Sequence, residues 1–395
     1  MVWFALALAV VGHGLLWAGV VNRLHGWAGP RPVIKLLTLL CGVALVGIPV
    51  AMVVRRWGAE GAAMGLLAGG SWPAPYLWTC AALGAVGLVV KPILERRRYD
   101  PTVVVECRSE LRRPGVGVAT LAGPLPRLLG CLPGNEALTL SIDRRRLALP
   151  RLPQELEGLS IVHLSDLHMT GGVGRGYFRF LAEQVNELRP DVIAITGDIV
   201  EHESCWPWLA ESLGRLCAPL GVYFILGNHD EFIDAARTRA LLVEAGLICL
   251  SGRWLRADWN GAPVLLGGNE LPWAPPAAPL ADLPPRTPAG DEFRLVLCHT
   301  PDQFAWCAAA DADLALAGHT HGGQVQLPLL GVLASPSLYG ARYACGVFRR
   351  AGTVLHVTRG VGGETPLRWR CPPEAALLTL TRQGTAEVVP AGLAD

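Results

Sequence analysis

Apolar residues fill three long stretches near the start of the chain. Val2–Val21 is apolar except for His13, and Val33–Val54 and Pro75–Leu94 follow it. Each stretch has about 20 residues, the length that an α-helix needs to cross a bilayer. The pattern predicts three transmembrane helices within residues 1–98. A cleaved signal peptide is the weaker interpretation of the first stretch, because it lacks a basic start and two more apolar stretches follow it.

Basic residues beside these stretches predict how the chain is oriented. Lys and Arg accumulate on the cytoplasmic side of membrane proteins. The N-terminus is therefore expected outside, and everything after Arg98 in the cytoplasm of a multi-pass protein of the inner membrane. The small-residue stretch Gly61–Gly70 is interpreted as a loop or a short re-entrant piece. The basic residues that decide the orientation are Arg23, Arg31 and Lys35 in the first loop, Arg55 and Arg56 in the second, and Lys91, Arg96, Arg97 and Arg98 after the third stretch.

Residues 99–137 are predicted to form a linker. Thr102–Val105 is a short β-like run, whereas Leu111–Gly134 is rich in Gly, Pro, Leu and Arg and has neither helical nor strand periodicity. The alternative is a segment on the membrane surface, with its apolar residues towards the lipid and three arginines at the headgroups. Those arginines are Arg112, Arg113 and Arg127.

From residue 138 to 395, apolar strands alternate with amphipathic helices. This alternation predicts an α/β domain with buried sheets. The Pro-rich stretch Pro272–Pro288 is predicted to be a surface loop, with a lid over a site as the alternative. Helices are predicted at Tyr177–Leu188 and Thr238–Ala245, and strands at Leu159–Leu164, Asp191–Thr196, Gly221–Leu226, Leu247–Leu250, Val264–Leu266, Phe293–Cys298, Leu314–Ala317 and Val354–Thr358.

Composition narrows the class of protein. Hydrophobic residues make up 51% of the 395 residues and charged residues 17%, which agrees with part of the chain lying in lipid. The net charge is +1 and no basic run with interleaved aromatics occurs, so a nucleic-acid partner is not expected. The 11 cysteines contain no C-x-x-C pair. This spacing favours reduced thiols over a disulfide framework or a zinc ribbon.

Polar blocks follow five of the predicted strands. Loops at the carboxyl ends of sheet strands meet at one edge, where α/β proteins place their sites. Because half of the chain's 10 histidines lie in these blocks, a shared site is a better explanation than chance. The blocks are Ser165-Asp166-Leu167-His168, Gly197-Asp198, Gly227-Asn228-His229-Asp230, His299-Thr300-Pro301-Asp302 and Gly318-His319-Thr320-His321-Gly322-Gly323.

The residue types in these blocks suit a pair of divalent metal ions. Aspartate and neutral histidine are ligands for Mn, Fe or Zn. Asp198 can bridge two ions, since a carboxylate has two oxygens, and Asn228 offers a neutral amide oxygen. Two ions about 3.5–4 Å apart can activate a water and clamp a phosphoryl group during in-line attack. The blocks therefore predict a two-metal phosphoesterase.

In order and type, the blocks resemble those of the calcineurin-like metallophosphoesterase superfamily, from about Leu138 to the end of the chain. The resemblance implies a four-layer α-β-β-α sandwich behind the N-terminal helices. The stretches Leu164–His168, Cys298–Asp302 and Gly318–Gln324, with the later Thr358–Gly362 and Cys371–Glu374, resemble a bacterial membrane- or wall-associated branch. That branch includes enzymes that hydrolyse UDP-2,3-diacylglucosamine in lipid A biosynthesis.

The resemblance also implies a role for each matching residue. His229 would protonate or stabilise the leaving oxygen, and Asp230 would orient and polarise His229. Asp166, His168 and His321 would hold one metal, Asn228, His299 and His319 the other, and Asp198 would bridge them.

Several other polar and aromatic residues have a structural and a functional interpretation. His163 and His356 are predicted to lie in the core, and His202 in a surface loop, although it is close enough in sequence to reach the site. Arg175 and Arg179 could bind phosphate or line a solvated helix face. Five tryptophans could form an apolar mouth for an acyl chain, but packing and membrane anchoring are the favoured interpretations: Trp206, Trp208, Trp254, Trp259 and Trp273.

The leading hypothesis is a membrane-anchored enzyme that hydrolyses a phosphate ester or pyrophosphate. The anchor favours a lipid-linked substrate, with UDP-2,3-diacylglucosamine as the specific hypothesis. The alternative is a general phosphodiesterase acting on envelope polymers or nucleotides. A non-catalytic scaffold of the same fold is disfavoured, because no predicted ligand position is missing.

Overall fold

The computed structural model describes residues 1–27, 29–56, 73–115, 120–274, 276–286, 292–328 and 330–383. The chain forms two compact units. The first comprises Met1–Arg97 with Gln326–Arg342, and the second Arg98–Val325 with Tyr343–Asp395. The predicted loop or re-entrant piece Gly61–Gly70 lies outside the described residues, as do parts of the stretches 111–134 and 272–288.

Three long helices make up most of the first unit. They are α1 (Val2–His25), α2 (Arg31–Arg56) and α3 (Pro73–Arg96). Each is long and apolar enough to cross a membrane. Helices α1 and α3 approach so closely that a Cβ atom at Gly12 would lie 1.7 Å from the carbonyl oxygen of Cys80. Small residues permit such close packing between helices in lipid.

Polar contacts join the parts of this unit. His13 Nδ1 lies 2.6 Å from the Tyr76 hydroxyl, and His13 Nε2 lies 2.9 Å from the Leu45 carbonyl oxygen, so one histidine on α1 contacts both other helices. Near the end of α1, the Asn22 amide donates to the Leu333 carbonyl at 2.8 Å. Leu333 follows a small hairpin of β11 (Gln326–Leu327) and β12 (Gly331–Val332).

A seven-stranded sheet forms one half of the second unit. Its order is β1-β2-β15-β3-β4-β5-β6, and β3 to β6 run parallel to one another. The strands are β1 (Val104–Arg112), β2 (Leu140–Leu149), β3 (Ser160–Leu164), β4 (Val192–Thr196), β5 (Val222–Ile225), β6 (Ile248–Cys249) and β15 (Glu374–Arg382).

A six-stranded sheet forms the other half. Its order is β13-β14-β10-β9-β8-β7, with β8, β9, β10 and β14 parallel and the two edge strands antiparallel. The strands are β7 (Trp254–Trp259), β8 (Ala262–Asn269), β9 (Phe293–Cys298), β10 (Leu314–Ala317), β13 (Gly346–Arg350) and β14 (Thr353–Val357).

Helices cover the outer faces of both sheets. The first core cluster lies between the sheets and includes Ile161 and Leu295. The second packs the first sheet against helices, through residues such as Phe178, and the third packs Phe304 against the second sheet. The predicted four-layer α/β fold is confirmed. The helices are α4 (Pro124–Gly130), α5 (Arg175–Glu187), α6 (Trp206–Ser212), α7 (Ala235–Glu244) and α8 (Phe304–Ala309).

The stretch predicted to be a linker contains regular structure. Strand β1 pairs with β2 along its length, and α4 follows it. Charged residues alternate along β1, and most of its residues are exposed. This strand therefore lacks the apolar run that predicted the buried strands. The predicted strand Thr102–Val105 is displaced, since β1 begins at Val104.

Candidate metal centre and active site

The five polar blocks meet at one edge of the second unit. Strands β3, β4 and β5 end there in one sheet, and β9 and β10 end there in the other. Parallel strands direct their carboxyl ends to the same edge. Backbone hydrogen bonds join the loops across it, since Asp166 N donates to the Gly197 carbonyl and Gly318 N donates to the His299 carbonyl, both at 2.9 Å.

The predicted ligands form two groups that share one residue. The potential ligand atoms of each group lie within 4.8 Å of one another, and Asp198 belongs to both groups. Asn228 adds an amide oxygen 3.1 Å from His299 Nε2. The first group contains Asp166, His168, Asp198 and His321, and the second contains Asp198, His299 and His319.

The potential ligand atoms are arranged for binding metal ions and not for hydrogen bonds to one another. His168 Nε2 and His321 Nε2 lie 3.0 Å apart, so two imidazole nitrogens of the same kind face one centre. His319 Nε2 is buried and, among the residues that the structure describes, has no hydrogen-bond partner. A buried polar atom without a partner is costly, and a cation removes that cost. The residues present therefore fit two divalent ions.

The backbone at the ligands adopts an unusual conformation. Asp166, His168, Asp198, His319 and His321 all have φ between 48° and 70°. L-residues other than glycine rarely adopt this left-handed region, and such residues cluster at functional sites where the surrounding structure holds them. The surrounding structure thus holds these five residues in an unfavourable backbone conformation, and this conformation sets the direction of their side chains.

Close approach of two loops also requires a glycine beside the shared carboxylate. A Cβ atom at Gly227 would lie 2.2 Å from Asp198 Oδ1 and 2.7 Å from His299 Cε1. Only glycine lets the backbone of the third block pass so near the metal ligands.

Electrostatics at the centre favours added positive charge. Asp166 and Asp198 are both buried. Burial raises the pKa of Asp166, and the neighbouring Asp198 raises it further against the opposing effect of His299. Burial also acts to raise the pKa of Asp198, but His299, His229 and His168 together hold that pKa well below its usual range. Two buried carboxylates this close need cationic partners.

His229 lies beside the first group and contacts a carboxylate that sequence reasoning missed. Its Nδ1 atom is 3.2 Å from Glu201 Oε1 and 3.4 Å from Glu364 Oε1. The same Glu201 oxygen accepts a hydrogen bond from His168 Nδ1. Burial acts to lower the pKa of His229, but Asp198 and Glu201 raise it to about 9. Burial acts to raise the pKa of Glu201, but His168 and His229 lower it to about 2.

Asp230 does not occupy the place that the resemblance implied. Its Oδ1 atom accepts from the backbone amides of Ile199 and Val200, and its Oδ2 atom accepts from that of Gly227 at 2.8 Å. Burial and the nearby Asp198 raise its pKa to about 7, against the opposing effect of these amides. The side chain therefore fixes the loops after β4 and β5, and Glu201 is the carboxylate beside the His229 ring.

Hydrogen bonds from outside the two groups orient two of the predicted ligand histidines. His299 Nδ1 lies 2.7 Å from the Thr196 carbonyl oxygen, which leaves its Nε2 atom facing the second group. The guanidinium of Arg368 donates to the His321 carbonyl at 2.9 Å and to the Arg359 carbonyl at 2.7 Å. Such partners orient metal-binding side chains and their loops.

One of the five tryptophans reaches the centre. The ring centroid of Trp273 lies 4.7 Å from that of His319 and 5.7 Å from that of His299, and the side chain is half-buried. Trp273 belongs to the stretch predicted as a surface loop or lid. Trp259 lies in the core, Trp206 and Trp208 pack against the second core cluster, and Trp254 stacks on Trp306.

Among the described residues, the remaining candidates belong to neither group of predicted ligands. His163 and His356 are buried, and their Nδ1 atoms are 2.8 Å apart. His202 is exposed. Arg175 and Arg179 both pair with Glu211, as expected for a solvated helix face.

Comparison with known proteins agrees with this geometry. Residues 159–323 match the calcineurin-like phosphoesterase family, a span that contains every predicted ligand. The chain is 32% identical to the phosphodiesterase YaeI of Escherichia coli, over 70% of this chain and 100% of that protein. It is 26% identical to the UDP-2,3-diacylglucosamine pyrophosphatase LpxG of Chlamydia trachomatis, over 62% of this chain and 90% of that protein.

A third relative is the transmembrane protein with metallophosphoesterase domain of Danio rerio, which is 31% identical over 58% of this chain and 54% of that protein. This chain therefore matches about half of the zebrafish protein's length. The Escherichia coli relative, in contrast, is matched over its whole length. The chain belongs to the calcineurin-like phosphoesterase family, and it is a metal-dependent phosphoric ester or pyrophosphate hydrolase.

Proposed function

We propose that this enzyme hydrolyses a lipid-linked substrate at the inner membrane, and that UDP-2,3-diacylglucosamine is that substrate. One observation carries the proposal: the chain combines two groups of metal ligands with three helices that are long and apolar enough to cross a membrane. Such helices would keep the catalytic domain close to a substrate that is itself held in the bilayer. The similarity to LpxG supports the nucleotide-diphosphate lipid in particular.

In this proposal each predicted ligand keeps its role. Asp166, His168 and His321 would hold one divalent ion, Asn228, His299 and His319 would hold the other, and Asp198 would be shared between them. Manganese, iron and zinc all suit this mixture of ligands. When bound, the two ions would supply an activated water and positive charge for the phosphoryl oxygens.

Two side chains of the protein act on the leaving group: His229 supplies a proton, and Glu201 keeps His229 protonated. His229 donates a proton to the leaving oxygen, for which a cationic imidazole is needed. Glu201 supplies the negative charge that favours this cation, and its contact with His229 Nδ1 leaves Nε2 as the donating atom. The half-buried Trp273 forms an apolar wall beside the second group of ligands.

The proposal also places the catalytic domain on the cytoplasmic side of the membrane. The distribution of Lys and Arg around the apolar stretches supports a cytoplasmic catalytic domain. A cytoplasmic catalytic domain would suit a nucleotide-diphosphate lipid intermediate as the substrate. A reporter fused after Asp395 tests it, since activity of a reporter that works only outside the cytoplasm would contradict it.

The decisive experiment uses full-length protein in detergent with added manganese. We expect it to cleave UDP-2,3-diacylglucosamine and release UMP, and we expect Asp198→Ala to abolish that release. Failure to cleave this lipid, while an aryl phosphodiester is still hydrolysed, would exclude the substrate and leave the enzyme class intact.

A general phosphodiesterase acting on envelope polymers or nucleotides is the second candidate. The similarity to YaeI, which covers the whole of that protein, favours it. It becomes the better proposal if only the aryl diester is cleaved.

A further inference from the structure

Exposed leucines cluster on and just after α4. Leu125, Leu128 and Leu132 are 58%, 66% and 43% exposed, and we call these three residues the leucine patch. Leu125 and Leu128 are three residues apart in α4 and lie on one side of a helical turn, and Leu132 follows the end of that helix. Single exposed apolar residues are ordinary, but a cluster marks an interaction site. Of the large apolar side chains exposed in the described part of the second unit, the others are Leu111, Phe232, Val243 and Leu280.

The sequence segment that carries the leucine patch is basic. Residues 111–135 contain three arginines and neither aspartate nor glutamate. Arg112 pairs with Glu110 and Glu187. Arg113 and Arg127 are exposed, and they donate to neutral oxygens of Thr139 and Leu121. Apolar side chains beside cations match the interface of an anionic lipid bilayer, with the cations at the headgroups.

The segment that carries the leucine patch is bonded to loops of the metal centre. The Gly174 amide donates to the Thr120 carbonyl at 2.8 Å, and the Ala122 amide donates to the Gly172 carbonyl at 2.9 Å. Gly172 and Gly174 lie in the loop that follows the ligand His168. The patch is therefore attached to the ligand-bearing edge of the second unit.

A second set of bonds reaches another ligand loop. The Asn135 side chain donates to the Leu129 carbonyl at 2.8 Å and accepts from the Arg368 amide at 3.0 Å. Arg368 in turn bonds to the His321 carbonyl. The segment that carries the leucine patch is thus connected by hydrogen bonds to the loops that carry His168 and His321, two residues of the first group of ligands.

The polypeptide enters the second unit at this same edge. Val347 N donates to the Arg98 carbonyl at 2.7 Å, and Val347 follows Gly346, which pairs with Val357 at the carboxyl end of β14. Val357 also pairs with Ala317, the residue that precedes the Gly318–Gly323 block. Arg98 comes two residues after the end of α3, the last of the three helices in the described residues that could span a membrane. The covalent connection to the membrane segment therefore starts at the ligand-bearing edge.

We propose that the leucine patch inserts into the surface of an anionic phospholipid bilayer. The three leucines enter the acyl-chain region, and Arg113 and Arg127 contact the headgroup phosphates. Insertion of this kind holds the metal centre at the boundary between lipid and water, independently of which phosphoester the enzyme cleaves.

Photocrosslinking of the full-length protein tests this surface without relying on activity. The protein carries p-benzoylphenylalanine in place of Leu128, or of Leu125 as a second position, and is reconstituted in vesicles of phosphatidylcholine and phosphatidylglycerol. The matched control carries it in place of Val243, which is 51% exposed near the end of α7, away from the ligand edge. After irradiation, a phospholipid adduct is measured by mass spectrometry.

We expect at least fivefold more lipid adduct at positions 125 and 128 than at 243. We also expect a severalfold fall when phosphatidylglycerol is omitted or when Arg113→Gln and Arg127→Gln are combined. Equal lipid adduct at 128 and 243 would overturn the proposal. So would crosslinks at 128 between two copies of the chain, because the patch would then be a protein interface.

Discussion

Glu201 Oε1 lies 3.2 Å from Nδ1 of His229 and also accepts a hydrogen bond from Nδ1 of His168. One carboxylate therefore joins a predicted metal ligand to the predicted proton donor. The Glu201 side chain is only 13% exposed, so water screens these contacts weakly. The protonation state of the His229 imidazole therefore depends on Glu201, a residue that is not among the predicted metal ligands.

Replacing Glu201 by Gln should slow catalysis more than it weakens substrate binding. The neutral amide keeps the shape of the side chain but removes the charge that favours a cationic His229. We expect kcat for an aryl phosphodiester to fall about 10–100-fold with KM changed little. Glu364→Gln is the matched control, since Glu364 lies 3.4 Å from the same nitrogen but is 58% exposed. Equal losses in both variants would show that Glu201 has no special role.

Trp273 should contribute to substrate binding. Its ring packs against His319 and His299, and a half-buried aromatic wall contacts whatever enters beside the second group. We expect Trp273→Ala to raise KM about 2- to 12-fold, as loss of aromatic contacts worth about 0.5–1.5 kcal/mol would, and Trp273→Phe to retain most of the affinity. Trp254→Ala serves as control, because Trp254 stacks on Trp306 instead. An unchanged KM in Trp273→Ala would place the substrate elsewhere.

Gly227→Ala should impair metal binding while the fold persists. The added Cβ atom would lie 2.2 Å from Asp198 Oδ1, so the shared carboxylate must move. Because Asp198 belongs to both groups of ligands, we expect the metal content to fall from two ions to fewer than one per chain, measured by elemental analysis. Gly214→Ala, whose new atom would come no nearer than 3.3 Å to its closest neighbour, should keep both ions. Full occupancy in Gly227→Ala would contradict the bridging role.

Sequence alone predicted the ligand blocks because each follows a short, mainly apolar strand. Strands such as β3 and β4 are buried on both faces, and that leaves a clear apolar run before the polar turn. Glu201 was missed because it comes three residues after Asp198 on an irregular loop, where no periodicity marks it. Its signal was the carboxylate in the stretch Gly197-Asp198-Ile199-Val200-Glu201, directly after the strand end.

Two of the strands that sequence reasoning missed, β2 and β15, carry charges into the core. β2 contains Asp143 and Arg145, and β15 begins at Glu374, all of them buried. A strand with buried charges resembles a polar loop until its partners are known. Arg145 and its partner Glu374 are 229 residues apart along the chain, so no local pattern could pair them.

The same buried charges predict how the protein responds to acid. The guanidinium groups of Arg145 and Arg359 contact Glu374, and Asp143 contacts both arginines. Burial acts to raise the pKa of Glu374, but the two arginines lower it from 4.5 to about 2. A folded pKa below the unfolded one means that the stabilisation is complete above about pH 4.5. It is lost as the pH falls through about 2, because the unfolded chain takes up the proton first.

Glu374→Gln should therefore lower the Tm at neutral pH, and the deficit should shrink in acid. Removing one member of a buried ion network costs about 3–5 kcal/mol, because the opposite charge stays buried without its partner. Thermal unfolding of the full-length protein in detergent, followed by circular dichroism between pH 7 and pH 3, measures the difference. Glu155→Gln, at an exposed carboxylate, should leave the Tm unchanged throughout. A deficit in Glu374→Gln that stays constant down to pH 3 would mean that Glu374 does not titrate with the lowered pKa, and the stabilising role of its ion pairs would have to be abandoned.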